Sequence, residues 1–427
     1  MIGRAEQRFK PRKCRIMTIN LALINQKIIK PPIRLLLLFV GLPVFAVLRL
    51  LQPVFNWRFG HLIYSRLGEL ATNTELYLRR RKTQPSAKKE WHIFFSGRPA
   101  NEQLLKMQKR VMCIIENKIL LHMYWKVRQL TSKSPLWFTL QEWKDPFEDF
   151  TYTPPQLSFT DEEEKQGQAL LSKMGIKQGE PFVCLHVRDS AYLEQHLPGK
   201  DSSAHDFRDC HIKNYALVIN YLISKGFYVL RMGKVVKDEI PVHHPKVIDY
   251  ARQYHSDFGD IYLSAKCKFF IGTDGGLITV PWLFNVPVAY TNTPYILYSV
   301  AWRKGDVYIS KKLWDIKRQR YLSYREILAY GADKWWDTKL YRNADLEVVE
   351  NTPDEILDLV KEMHERLEGI WVKKDDEDIL QKKYRSLYPP DHYAYGHLSR
   401  IGTNFLRNNR YLLEENPAEV LVNHEIK

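Results

Sequence analysis

The chain has 427 residues, 45% of them apolar and 13% aromatic. That composition excludes a mainly disordered polypeptide and leaves room for two or three domains. Its 64 basic and 49 acidic side chains give a net +15, but Arg4, Arg8, Lys10, Arg12, Lys13, Arg15, Lys27, Lys30 and Arg34 against Glu6 place +8 of that excess in the first 34 residues. The remaining body is mildly basic and has no basic stripe interleaved with aromatics, so no nucleic-acid partner is expected.

In chain order, the basic start leads into Leu35 to Leu48, fourteen residues without a charge, closed by Arg49. That run is short of the ~20 residues needed to cross hydrocarbon. No small-residue cleavage site follows it, which argues against a secretory signal. Residues 1–55 are expected to form a basic, apolar segment with a helix lying in the membrane interface on the cytoplasmic face of the cell membrane. A buried first helix of the fold and a true membrane span are the alternatives. Cys14, Cys113, Cys184, Cys210 and Cys267 contain no C-x-x-C pair and read as reduced thiols in a cytosolic setting.

Residues 56–159 read as a first α/β unit. A strand is expected over Phe59 to Tyr64, a loop over Arg66 to Ala71 opening a helix through Leu78, a strand over Trp91 to Phe95, and helical periodicity from Asn101 to Ile115. Lys144 to Ser158, with three prolines among aromatics, reads as a connection between domains.

Residues 160–350 alternate more clearly. Thr160-Asp161-Glu162-Glu163 is a capping box opening a helix that ends near Gly175. Short β-branched or aromatic runs follow at Phe182 to Val187, Phe227 to Met232, Val247 to Asp249, Lys268 to Ile271 and Val286 to Thr291. Helical stretches around Tyr215 to Ser224, Asp257 to Ala265 and Leu277 to Leu283 separate them, the pattern of a Rossmann-like parallel sheet. In residues 351–427, Asn351-Thr352-Pro353-Asp354-Glu355 caps a helix with Pro inside its first turn, reaching about Leu367 and expected to cross back between the two domains, before a polar helical tail.

The chemistry concentrates in two places. His186-Val187-Arg188-Asp189 falls at the carboxyl end of a strand, the edge at which open α/β sheets bind ligands. Arg188 is permanently charged and grips two oxygens at once, which suits a diphosphate; His186 lies on the same strand face. The structural alternative is an ion pair of Arg188 with Asp189 or Asp209. The second place is Gly272-Thr273-Asp274-Gly275-Gly276-Leu277, a strand-to-helix turn suited to an anion. Its spacing fits neither G-x-G-x-x-G nor G-x-x-x-x-G-K-[ST], so dinucleotide binding and P-loop hydrolysis lose support. Plain turn glycines are the alternative there. The pairs His196 with Asp201 and His244 with Asp249 have acid-histidine spacings that chance supplies. Asp376-Glu377-Asp378 reads as a solvated face, so no metal is expected.

The stretches Gly179 to Tyr192, Phe207 to Cys210, Ser224 to Gly233, Asp260 to Ile271 and Arg400 to Asn409 resemble an uncharacterised bacterial family of glycosyltransferases from surface-polysaccharide loci, over most of residues 57–410. More distantly, H-x-R with a late glycine-rich loop is similar to fucosyltransferases of the two-Rossmann-domain, GT-B type. The resemblance implies an α/β chain with two Rossmann-like domains about a central cleft, an acceptor side at 56–159 and a donor side at 160–350. It implies a nucleotide-diphosphate sugar as co-substrate without a further cofactor, and a glycan or lipid-linked acceptor. Arg188 would hold the diphosphate; the resemblance identifies no catalytic carboxylate, and Asp189, Asp209 and Glu69 are candidates by position alone. His186, Arg208, Gly233, Asp249, Thr273, Asp274, Gly275 and Gly276 would bind the donor. A nucleotide-sugar epimerase and a non-catalytic scaffold of polysaccharide synthesis are the competing readings.

Overall fold

A computed structural model describes residues 31–83, 90–140, 147–196, 203–294 and 303–414. The basic stretch up to residue 30, part of the expected interdomain connection, and Asp201 lie outside them. Helix α1 (Pro31–Leu51) precedes a small parallel sheet of β1 (Trp57–His61), β2 (Trp91–Ser96) and β3 (Cys113–Glu116). Helix α2 (Leu67–Thr83) connects the first two strands, α3 (Glu102–Lys109) the next two, and α4 (Lys118–Leu130) follows β3. The helix expected through Ile115 stops at Lys109, because Cys113-Ile114-Ile115 pairs beside β2 from Ile93 onward. Tertiary pairing of a β-branched run overrides its local helical spacing. Helix α4, unread in the sequence, is capped by Asn117, whose Oδ1 accepts from the Ile119 and Leu120 amides.

Helix α5 (Asp161–Lys173) carries both hydrogen bonds of the Thr160–Glu163 capping box. Beyond it come β4 (Phe182–His186), α6 (Ala216–Ser224), β5 (Tyr228–Arg231), β6 (Val247–Ile248), α7 (Asp257–Lys266), β7 (Phe270–Gly272), α8 (Val280–Leu283), β8 (Val288–Thr293) and β9 (Val307–Ser310). The expected alternation is there, with strand ends shifted by up to two residues. Strands β10 (Lys312–Asp315), β11 (Arg320–Tyr321) and β12 (Leu346–Val349) form a small antiparallel sheet in a region the sequence left unread. Helix α9 (Pro353–Leu367), α10 (Glu377–Arg385), β13 (Arg400–Ile401) and α11 (Thr403–Asn408) complete the described chain.

The large sheet is parallel throughout, with order β13-β9-β8-β7-β4-β5-β6. From β4 the chain moves outward through β5 and β6, then returns to build β7, β8 and β9 on the other flank. The order therefore reverses between β4 and β7, and adjacent loops leave their carboxyl ends in opposite directions and open a crevice.

Two expectations for the carboxyl end are corrected. Helix α9 does not cross back between two domains: it packs on α6, β8, β9 and α11, burying the stripe Ile356, Leu359, Val360 and Met363. The expected polar helical tail is only partly helical and is partly buried. Its β13 extends the large sheet beside β9, and Leu387, Tyr388, Phe405, Leu406 and Leu412 are buried.

One apolar core runs through both parallel sheets, so a boundary at 159/160 divides the sheets and not the core. Helix α2 is buried from Leu70 to Arg79 against α8, and α3 lies on α7. Arg79 locks this contact. Its Nε bonds Glu75 at 2.8 Å, and its remaining nitrogens donate to the carbonyls of Thr153, Phe150, Trp282 and Leu283 and to Asn285 Oδ1. With both side chains of the Arg79–Glu75 pair fully buried, the satisfaction of the guanidinium is what makes that burial tolerable.

Candidate functional site

The crevice between β4 and β7 holds the residues singled out by the sequence. The amide of Arg188 donates to Thr273 Oγ1 at 2.8 Å, and the Thr273 amide donates to the His186 carbonyl at 3.1 Å, tying the end of β4 to the loop after β7. The Arg188 carbonyl accepts from the Cys210 amide at 3.0 Å, which brings in the segment carrying Arg208 and Asp209. Arg208 Nε donates to Asp274 Oδ2 at 2.7 Å. His186, Arg188, Arg208, Asp209, Thr273, Asp274 and Gly275 thus come together.

Arg188 Nε lies 3.1 Å from Asp209 Oδ1, so the structural ion pair is real and its partner is Asp209. The alignment does not make a hydrogen bond, however. Nε and Nη2 of Arg188, and Oδ1 of Asp209, are buried without a hydrogen-bond partner among the described residues. Buried guanidinium donors left open are costly, and ligand atoms commonly satisfy them. Burial lifts the Asp209 carboxyl above its usual range even though Arg188 pulls the other way. His186 is held down to about 4 by burial and then by the charges of Arg188 and Arg231, so it stands neutral, with Nδ1 buried and open.

Three groups here escaped the sequence reading. Lys311, just past β9, donates to the carbonyls of Phe207 (3.1 Å) and Asp209 (2.6 Å) and so fixes the Arg208-Asp209 segment. His205 is pushed down by burial and by Arg208, Arg188 and Arg66, which puts Arg66, at the start of α2, in the same positive field. Gly68 is the third. A Cβ on Gly276 would lie 3.2 Å from Gly68 N, and one on Gly68 would lie 3.4 Å from Gly276 Cα. The carboxyl edges of the two parallel sheets therefore meet backbone to backbone at these glycines. Gly276 sits at φ −68°, so it is needed for close approach and not for backbone freedom. A Cβ on Gly275 would lie 3.0 Å from His186 Cε1.

The helix expected after this loop is a short 3₁₀ turn, Leu277–Thr279, running into the four residues of α8. It offers less of a helix dipole than the sequence pattern implied, and the positive field comes mainly from side chains. Asp189 is largely committed elsewhere. Its two oxygens accept from the Ala191 amide (3.0 Å) and the Lys237 amide (2.9 Å), which brace neighbouring loops. Gly233, at φ +144°, follows β5, and Asp249, after β6, is the counter-ion of Arg231 at 3.5 Å and Arg252 at 3.8 Å. These two lie along the same sheet edge, on the β5 and β6 side of the crevice. Glu69, in the first turn of α2, accepts from Asn73 at 2.8 Å.

An open cavity of about 410 Å³ is lined by Asp209, Cys210, Lys311, His211 and Glu350. Among the described residues no group of three or more His, Cys, Asp or Glu is gathered as a metal site. Asp376 pairs with Arg407 and Arg410, Glu377 with Arg366 and Arg400, and Asp378 with Lys373. His244 Nδ1 accepts from the Lys246 amide while Asp249 faces Arg231, so their spacing makes no acid-histidine pair. Cys113, Cys184, Cys210 and Cys267 are free thiols.

No protein-family model and no curated protein sequence matches the chain. Among solved structures it is similar to E. coli ADP-heptose lps heptosyltransferase II, at 15% identity and TM-score 0.37 over 55% of this chain and 84% of that one. A glycosyl transferase of family 9 from Veillonella parvula aligns at 12% identity and TM-score 0.36 over 55% and 80%. E. coli heptosyltransferase WaaC with ADP aligns at 11% and 0.30 over 55% and 87%. These neighbours are glycosyltransferases, but at TM-scores this low the likeness carries no argument about activity.

Proposed function

We propose that this chain is a glycosyltransferase that moves a sugar from a nucleotide-diphosphate donor to an acceptor hydroxyl of a glycan or lipid-linked acceptor in surface-polysaccharide or glycoconjugate synthesis. The observation that carries the reading is the Arg188 guanidinium, buried at the strand-order reversal with two nitrogens open. In the transfer, the acceptor oxygen bonds to the anomeric carbon as the bond from that carbon to the diphosphate oxygen breaks. The electron pair departs with the diphosphate, whose growing charge meets Arg188 and Arg208. Asp209, its carboxyl raised by burial, takes the hydroxyl proton. Neutral His186 hydrogen-bonds the donor without adding charge. Gly233 and Asp249 border the nucleoside end, and the small sheet supplies the acceptor side. No cofactor or metal enters this scheme.

The test is release of nucleoside diphosphate from a panel of nucleotide sugars, with and without lipid-linked or glycan acceptors. Release that needs an acceptor and is lost in Arg188→Lys supports transfer. Conversion of a donor to its isomer with no acceptor present would replace the reading with epimerisation.

A further inference from the structure

Helix α1 is held to the body along one narrow face. Leu37 is buried, Gly41 sits so close to α4 that a Cβ would lie 2.7 Å from Val127 and 2.8 Å from Met123, and Phe45 stacks on Trp137 at 5.6 Å. These are positions i, i+4 and i+8, a single stripe. The rest of the helix is bare. Phe39 and Leu50 are each 79% exposed, and Leu36, Val40 and Val47 are exposed beside them, with Val54 just beyond the helix. With Leu35, Leu42, Val44 and Leu51, which are also exposed, these apolar side chains span about 200° at 100° per residue, roughly half the helix circumference. Helix α1 has no acidic residue, and Arg34 and Arg49 stand near its ends. A contiguous apolar face of this extent on a folded surface marks a contact that is yet to be made.

From this placement we infer that the exposed face of α1 docks on an anionic lipid bilayer, lying flat in the headgroup region. Three observations select lipid. The face offers no hydrogen-bonding groups or acids of the kind that rim a protein interface. The 30 residues immediately before the helix carry eight bases and one acid, a charge complementary to anionic headgroups and repulsive toward a second copy. The uncharged run Leu35 to Leu48 is about 21 Å long as a helix, against roughly 30 Å of hydrocarbon. Among the described residues no helix is long and apolar enough to cross a membrane. Because α4 clamps α1 lengthwise and carries Lys118 and Lys126, immersion stops at one face. Phe55, stacked on Trp57 at 5.0 Å, adds an aromatic anchor at interface depth. The docking is independent of the transferase reading.

Flotation of the full chain with vesicles tests it. The protein should float with phosphatidylcholine vesicles containing phosphatidylglycerol, float less with phosphatidylcholine alone, and be partly released by high salt. Phe39→Glu and Leu50→Glu, at exposed positions, should each keep the wild-type melting temperature and lose roughly tenfold or more in vesicle partition. Failure of the wild type to float, or equal flotation of wild type and both variants, overturns the proposal. So does light scattering that finds a wild-type dimer in solution dissociated by these substitutions, which would make the face a self-interface.

Discussion

Arg79 and Arg188 sit at low exposure in the same molecule, each beside a carboxylate, and their surroundings differ in kind. Arg79, where α2 meets α8, has its guanidinium bonded to Glu75, to Asn285 and to a ring of backbone carbonyls. Arg188, at the ends of β4 and β7, has a misaligned aspartate and two open nitrogens. The first guanidinium leaves no buried nitrogen open, although Glu75 Oε2 beside it has no hydrogen-bond partner among the described residues, and it holds the two sheets on one core. The second is incomplete, and it sits at the strand ends where the strand order reverses. Burial of an arginine therefore says little about its role, while the count of its unsatisfied donors says much.

The contrast breaks most sharply on stability. Arg79→Met should cost about 3–5 kcal/mol, because Glu75 and several carbonyls lose their buried partner at once; denaturant titration measures it. Arg188→Lys should keep the unfolding free energy within about 1 kcal/mol of wild type yet reduce transfer by roughly a hundredfold or more, since an ammonium does not reproduce a planar fork. A loss of stability in Arg188→Lys with activity per folded molecule intact would make the two arginines alike. The pH dependence sharpens the comparison further. His186 titrates near 4 in the folded chain against an ordinary 6.5, so the unfolded state binds more protons between those values. Stability is full above pH 6.5, declines as pH falls toward 4, and loses at most about 3 kcal/mol through this group. His61, held to about 3, and His397, held to about 4, act in the same sense. His186→Gln should accordingly reduce, without abolishing, the slope of unfolding free energy between pH 6.5 and 4, as read by urea titration at several pH values. The smallest effect belongs to Asp376→Asn, which loosens a half-buried pair with Arg407 and a more exposed one with Arg410 and should leave transfer unchanged in a donor-turnover assay.

What the sequence displays here is what is decided locally. The capping box at Thr160 depends on side chains three residues apart and forms as expected, and the helix cap expected before Pro353 is in the structure a second such box, at Thr352. The placement of His186 and Arg188 at a strand end follows from a short apolar run. Strand order is different, because it depends on which strands pair across the molecule; the reversal between β4 and β7 is invisible in any window of residues. The same holds for β9 and β13, four and two residues long, and for Lys311, whose value lies in reaching carbonyls more than a hundred positions earlier. The expected crossover of α9 failed for that reason too: its apolar stripe announces a buried face without saying which sheet it covers. Gly276 was legible as a turn residue, whereas its approach to Gly68 required both sheets in place.

The central claim, that the open donors of Arg188 receive a diphosphate, is tested most directly by calorimetric titration of nucleoside diphosphates into the wild type and Arg188→Lys. The account predicts that one nucleotide binds the wild type and that its Kd rises at least about tenfold, some 1.4 kcal/mol, in the variant while the melting temperature holds. An unchanged Kd in a normally folded variant would contradict it, as would a wild type that binds none of the nucleotides.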